Sequence, residues 1–265
     1  MQGDEAVGRA LALVRDLRAR CAWDGAQTRA TLRPYLVEEV LELDQTLRRD
    51  DPVELRDELG DLLLHFAFQV VLGEERREFD AESVTRGLEE KMWRRHPHLF
   101  GGGEKPVSWE MGKREEGRGK GQTLAGLPPT LPALLMAYRL QERAAGVGFD
   151  WPDSRGPLDK VKEEVAEVER ATGNGQRQAL EDEIGDLLFS VVNLARKLSI
   201  DPRAALERAN DKFAQRFGSV EDLARVRGLE LGRASLAELD ELWEEIKDGQ
   251  GGARTDEDGQ GEVYP

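Results

Sequence analysis

The chain repeats itself, and what it repeats is acidic. Glu38-Glu39-Val40-Leu41-Glu42 returns as Glu163-Glu164-Val165-Ala166-Glu167, and Glu58-Leu59-Gly60-Asp61-Leu62-Leu63 returns as Glu183-Ile184-Gly185-Asp186-Leu187-Leu188, each residue 125 positions after its counterpart. A shared offset means that the spacing between the two motifs is also repeated, which marks a duplicated structural unit. A third echo, Trp109-Glu110-Met111-Gly112-Lys113 against Trp243-Glu244-Glu245-Ile246-Lys247, lies at an offset of 134, so a connecting loop differs in length.

Both copies read as helix hairpins. Leu36, Val40, Leu43 and Leu47 recur at helical spacing, and Arg48 and Arg49 suit the negative end of a helix dipole. Asp51 then reads as an N-cap, with Pro52 at the first helical position and Glu54 placed to complete a capping box. In the second copy Thr172-Gly173-Asn174-Gly175 supplies the break. Aromatics are 6% of the chain, and Val and Ile runs suited to strands are scarce, so the expected fold is all-α. The expected domains are residues 6–113 and 128–249, with a Gly-rich, charged linker at 114–127 and a polar, disordered tail at 250–265. Gly101-Gly102-Gly103-Glu104-Lys105-Pro106 leads into the linker. A lone hairpin cannot bury both faces, so the two tandem hairpin domains are expected to pack as four-helix-bundle-like units through homodimerisation.

The acids fall together on such a hairpin. Around a turn centred at residue 50, Glu42 is level with Glu58 and Glu39 with Asp61, while Glu38 and Glu42 share one helix face. The same count places Glu167 with Glu183 and Glu164 with Asp186, beside Glu163. Clustered carboxylates repel one another, and hard cations with oxygen ligands offset that repulsion, so these ten acids are the candidate metal ligands.

The net charge of −15 leaves no excess of Lys and Arg for binding a nucleic acid polymer. An anionic ligand would need local cationic help. Cys21 is a single thiol and cannot form an internal disulfide. The N-terminal acids Asp4 and Glu5 precede no apolar run long enough for a signal segment or membrane span, so a cytoplasmic protein with no membrane partner is expected.

The paired acidic motifs, together with flanking Cys21-Ala22-Trp23-Asp24, Gln27-Thr28, Arg95-His96-Pro97-His98, Gly148-Phe149-Asp150-Trp151, Asn210-Asp211-Lys212-Phe213, Arg216-Phe217 and Trp243-x-x-x-Lys247, strongly resemble the two-domain MazG proteins among the all-α nucleoside triphosphate pyrophosphatases. The resemblance implies cleavage of a nucleoside triphosphate to the monophosphate and pyrophosphate with Mg²⁺ or Mn²⁺. Glu164, Glu167, Glu183 and Asp186 would be the catalytic acids, and Glu163 a further ligand. One of them, or a water it orients, would supply the nucleophile; which acid is the base stays open.

Lys212 and Arg216 are four apart on one helix face, and Lys247 follows Trp243 by four. They suit a clamp on phosphates and base, or else are surface charges around a core tryptophan. Asn193 and Asn210 could orient substrate or water, or bridge helices. Phe68 occupies the first-copy position of Asn193, and Glu89-Glu90-Lys91 stands where the second copy reads Asn210-Asp211-Lys212, so the C-terminal copy is expected to carry the main activity. His96 and His98 read as loop structure, and His65 as packed. Two rivals remain: a non-catalytic metal-binding interaction protein, and a related pyrophosphatase for dUTP or a phosphoribosyl nucleotide.

Overall fold

Asp51 starts the second helix of the first hairpin as its sequence requires: its carboxylate accepts hydrogen bonds from Val53 N at 2.8 Å and Glu54 N at 3.2 Å, with Pro52 at the helix start. Glu54 does not complete the expected capping box. Its carboxylate pairs instead with Arg49 at 3.4 Å across the turn, where two opposite charges meet. The computed structural model describes residues 3–49, 51–101, 123–174 and 176–251, and these form two units, Met1–Pro106 and Val107–Pro265.

In the first unit α1 (Gly3–Arg20) and α2 (Ala22–Ala26) precede the hairpin of α3 (Arg29–Arg49) and α4 (Pro52–Glu75), and α5 (Ala81–Arg95) and α6 (Pro97–Phe100) follow. Helix α1 lies along α4, and their shared core contains Leu11, Val14, Leu32, Ala67, Phe68, Val70, Val71 and Leu72. Two bidentate pairs, Arg15 with Glu74 and Arg18 with Glu75, tie α1 to the end of α4. His65 is buried in α4, and burial lowers its pKa, as suits a packed neutral imidazole. Cys21 is half-buried and free. His96 caps α5, with Nδ1 3.0 Å from the Met92 carbonyl.

In the second unit α7 (Ala133–Ala145) packs against α9 (Arg177–Lys197), which forms a hairpin with α8 (Arg155–Asn174). Helices α10 (Pro202–Arg227) and α11 (Leu236–Gly251) pair around Val220, Ala224 and Leu242, with Trp243 packed against that core. Among the described residues there is no strand, and no helix is long and apolar enough to cross a membrane. The Trp109–Lys113 echo, most of the linker and residues 252–265 lie outside the described residues.

Each hairpin covers only part of its apolar surface. Leu36 and Leu43 are partly buried, but Leu41, Leu47 and Leu59 on the first hairpin are 57%, 58% and 51% exposed, and Leu188 on the second is 56% exposed. Leu59 and Phe66, apolar residues that flank the acids in the sequence, are also left exposed, because two helices offer each other only one face. Phe68 is 3% exposed in the core. Phe68→Ala is therefore expected to destabilise the first unit by about 3–5 kcal/mol in urea denaturation.

Candidate active site

In the first hairpin the fold brings three of the five predicted acids together: one oxygen from each of Glu39, Glu58 and Asp61 lies within 4.8 Å of the others. Glu38 and Glu42 stand outside this triad, near enough for their charges to act on Glu39. In the second hairpin all five acids gather, as two triads that share one residue: Glu163, Glu164 and Glu167, and Glu164, Glu183 and Asp186. Glu164 is 3% exposed.

The charges feel this crowding. The pKa of Glu183 is raised, first by burial and then by Glu167, Glu164 and Asp186. Glu58 and Glu39 are raised in the same way, by burial and then by Glu42 and Asp61 among other neighbours. Lys160 partly relieves the second cluster: its ammonium lies 2.5 Å from Glu164 and 2.9 Å from Glu163, and these bonds push its own pKa well up. The first copy has Tyr35 at that position and so lacks this internal cation.

The donor set fits a hard divalent cation. Two oxygens on one Mg²⁺ can lie up to about 4.2 Å apart, so oxygens within 4.8 Å need only small shifts to share an ion. Glu58 Oε2 and Glu164 Oε2 are buried without a hydrogen-bond partner, each an acceptor with unused capacity in a negative pocket.

The remaining predicted residues all belong to the second unit. Lys212 and Asn210 are exposed on α10, and Arg216 is partly buried on the same helix. Trp243 packs on the α10–α11 core and lies 5.4 Å from Phe213, which stacks on Phe217 at 5.9 Å. Lys247 pairs with Glu244 at 2.8 Å. Asn193 is buried on α9, its Oδ1 accepting two hydrogen bonds from Arg196. Sequence reasoning missed this partnership, as it missed Arg196 with Asp150, residues 46 apart that no periodicity connects. It also missed Gln141, whose Nε2 donates to the Phe189 carbonyl at 2.8 Å.

A carboxyl whose pKa is higher in the folded than in the unfolded state favours folding while protonated and loses that contribution as pH rises through the folded value. Glu39, Glu58 and Glu183 therefore oppose folding of the metal-free protein at neutral pH and oppose it less as pH falls toward about 5. Glu183→Gln removes one of these charges at every pH. It is expected to raise the melting temperature of chelator-treated protein at about pH 7 and to raise it less at about pH 5. An unchanged or lower melting temperature at the higher pH contradicts this.

Residues 27–100 and 157–220 match the MazG nucleotide pyrophosphohydrolase domain, and the two spans enclose the two acidic hairpins. The chain is 43% identical over 232 residues to a Thermotoga maritima protein named nucleoside triphosphate pyrophosphohydrolase/pyrophosphatase MazG, covering 86% of this chain and 90% of that one. It is 40% identical over 244 residues to the nucleoside triphosphate pyrophosphohydrolase of Escherichia coli K12, covering 88% and 93%. It is also 38% identical over 246 residues to Bacillus subtilis YabN, covering 89% of this chain and 50% of that protein. With the domain present twice and the Thermotoga maritima and Escherichia coli relatives matched along most of their length, the chain belongs to the MazG nucleotide pyrophosphohydrolase family.

Proposed function

We propose that this chain is a nucleoside triphosphate pyrophosphohydrolase whose main centre is the α8–α9 acid cluster, working with Mg²⁺. The observation that carries the assignment is the pair of triads sharing Glu164, where the first hairpin has one. Beyond the acids, α9 continues with buried Ser190 and Asn193, while α4 continues with His65 and Phe68. The two copies therefore differ most at the second of these positions, where Asn193 is polar and Phe68 apolar.

The reaction adds water across the anhydride between the α and β phosphates, releasing the monophosphate and pyrophosphate. Glu163, Glu164, Glu167, Glu183 and Asp186 would hold Mg²⁺, which when bound neutralises phosphate charge as the leaving group departs. One of these acids, or a water that it orients, would take the proton from the attacking water. Lys212, Arg216 and Lys247 are the cationic groups of this unit assigned to the phosphates, with Trp243 and Asn210 beside them. Lys247 would exchange its partner Glu244 for phosphate oxygens.

The first hairpin, with its single triad, binds metal more weakly and serves assembly. Its exposed Leu41, Leu47 and Leu59, like Leu188 on the second, would be covered by another copy of the chain, giving a homodimer.

Glu183→Gln is expected to lower kcat for pyrophosphate release from a Mg²⁺–nucleotide mixture by at least about 100-fold, while Glu58→Gln stays within about twofold of the unmodified chain. A larger loss from Glu58→Gln overturns the assignment to the second unit. Release that survives chelation of divalent cations overturns the role of the metal.

A further inference from the structure

A carboxamide can present its oxygen or its nitrogen to a ligand, and its neighbours decide which. Arg196 lies against the oxygen of Asn193: Nε is 3.0 Å and Nη2 2.8 Å from Oδ1. A guanidinium only donates, so this contact fixes the oxygen toward Arg196 and turns the Nδ2 donor away from it. Arg196 is held in turn by Asp150, with Nη2 2.6 Å from Oδ1 and Nη1 3.2 Å from Oδ2, and Lys197 reaches Asp150 at 3.2 Å and the Trp151 carbonyl at 2.7 Å. The Arg196 side chain is 11% exposed and that of Asp150 22%, so these charged bonds are largely shielded from water. Arg196 and Lys197 hold the Asp150 pKa down although burial alone would raise it. Trp151, next to Asp150, lies close over the start of α8, where a side chain at Gly156 would meet its ring at 2.1 Å.

We propose that Arg196 and Asp150 are positioning residues, which orient the Asn193 carboxamide so that its N–H donor faces a hydrogen-bond acceptor on the nucleotide; this rests on the α8–α9 site assignment above. Glu183, Asp186, Ser190 and Asn193 follow one another at three- and four-residue spacing and so share one face of α9. Asn193 lies seven residues past Asp186, about 10 Å along the helix, a distance that suits the sugar or base of a nucleotide whose phosphates rest at the acids.

The internal repeat supplies the control. The first-copy counterparts of Asn193 and Arg196 are Phe68 and Val71, both in the apolar core at 3% and 2% exposure. The same hairpin thus folds without a polar network at these positions, and burying one opposes folding unless every member is satisfied. The neighbouring wall is polar as well. Gln141 is bonded to the Phe189 carbonyl one turn before Asn193, and because its nitrogen must face that carbonyl, its Oε1 points elsewhere, buried with no partner.

The test is a mutant cycle on the full chain, with Mg²⁺–ATP as probe and KM, kcat and melting temperature as readouts. Asn193→Ala is expected to raise KM about tenfold with kcat within about threefold, as for loss of one hydrogen bond to a ligand. Arg196→Lys and Asp150→Asn, which are milder changes, are each expected to raise KM in the unmodified chain but by less than about twofold in the Asn193→Ala background. Equal KM effects in both backgrounds, or a lower melting temperature with KM unchanged, overturn the proposal. An unchanged KM for Asn193→Ala also overturns it, and does so without touching the site assignment if Glu183→Gln is inactive. If Glu183→Gln remains active the site assignment fails, and the KM cycle still decides whether Arg196 acts through Asn193.

Discussion

Mutual repulsion of carboxylates across a helix hairpin is the constraint around which this protein is organised. Antiparallel helices joined by a short turn place residues equally distant from the turn at one level, so acids that are remote in sequence share a few ångströms of space. Burial of Glu164 in the second unit sharpens the conflict, because a desolvated carboxylate is repelled more strongly by its neighbours. Burial first, and the neighbouring carboxylates after it, raise the proton affinities of Glu39, Glu58 and Glu183. Under the proposed function a divalent cation would turn the same crowding into a binding site, which would give a stability cost in the free protein a functional purpose.

The two copies resolve the constraint differently. The first builds one triad and backs it with an apolar core of Phe68, Val70 and Val71. The second builds two triads on a common Glu164, sets Lys160 against them, and replaces the apolar backing with Ser190, Asn193 and the Arg196–Asp150 pair. One hairpin design therefore accommodates both an apolar and a polar backing, with the difference concentrated at a few positions on the second helix of each pair.

Much of this was legible in the sequence, because it depends on local chemistry and on fixed spacing. The cap at Asp51, the helical stripe of Leu36 and Leu43, and the grouping of Glu164 with Glu183 and Asp186 all follow from local chemistry and from periods that a helix imposes, whereas the expected break at Thr172-Gly173 is not found there, because α8 continues through both residues to Asn174. Long-range side-chain choices were not legible. Glu54 had two plausible partners, the backbone of its own helix or Arg49, and only the geometry of the turn decides between them. Asp150 meets Arg196 because a loop folds back over the end of α9, and nothing in either residue's neighbourhood announces it. The exposure of Leu59 and Phe66 was likewise hidden, since hydrophobicity tells which face seeks cover but not whether one chain can supply it.

The central claim is that the α8–α9 acids form a cation site before any nucleotide arrives. Titration of the nucleotide-free protein with Mn²⁺, followed by electron paramagnetic resonance, tests it most directly. The account predicts bound Mn²⁺ that is largely lost in Glu164→Gln, the residue common to both triads. Mn²⁺ binding that is absent from the unmodified chain, or unaltered by that substitution, would contradict it.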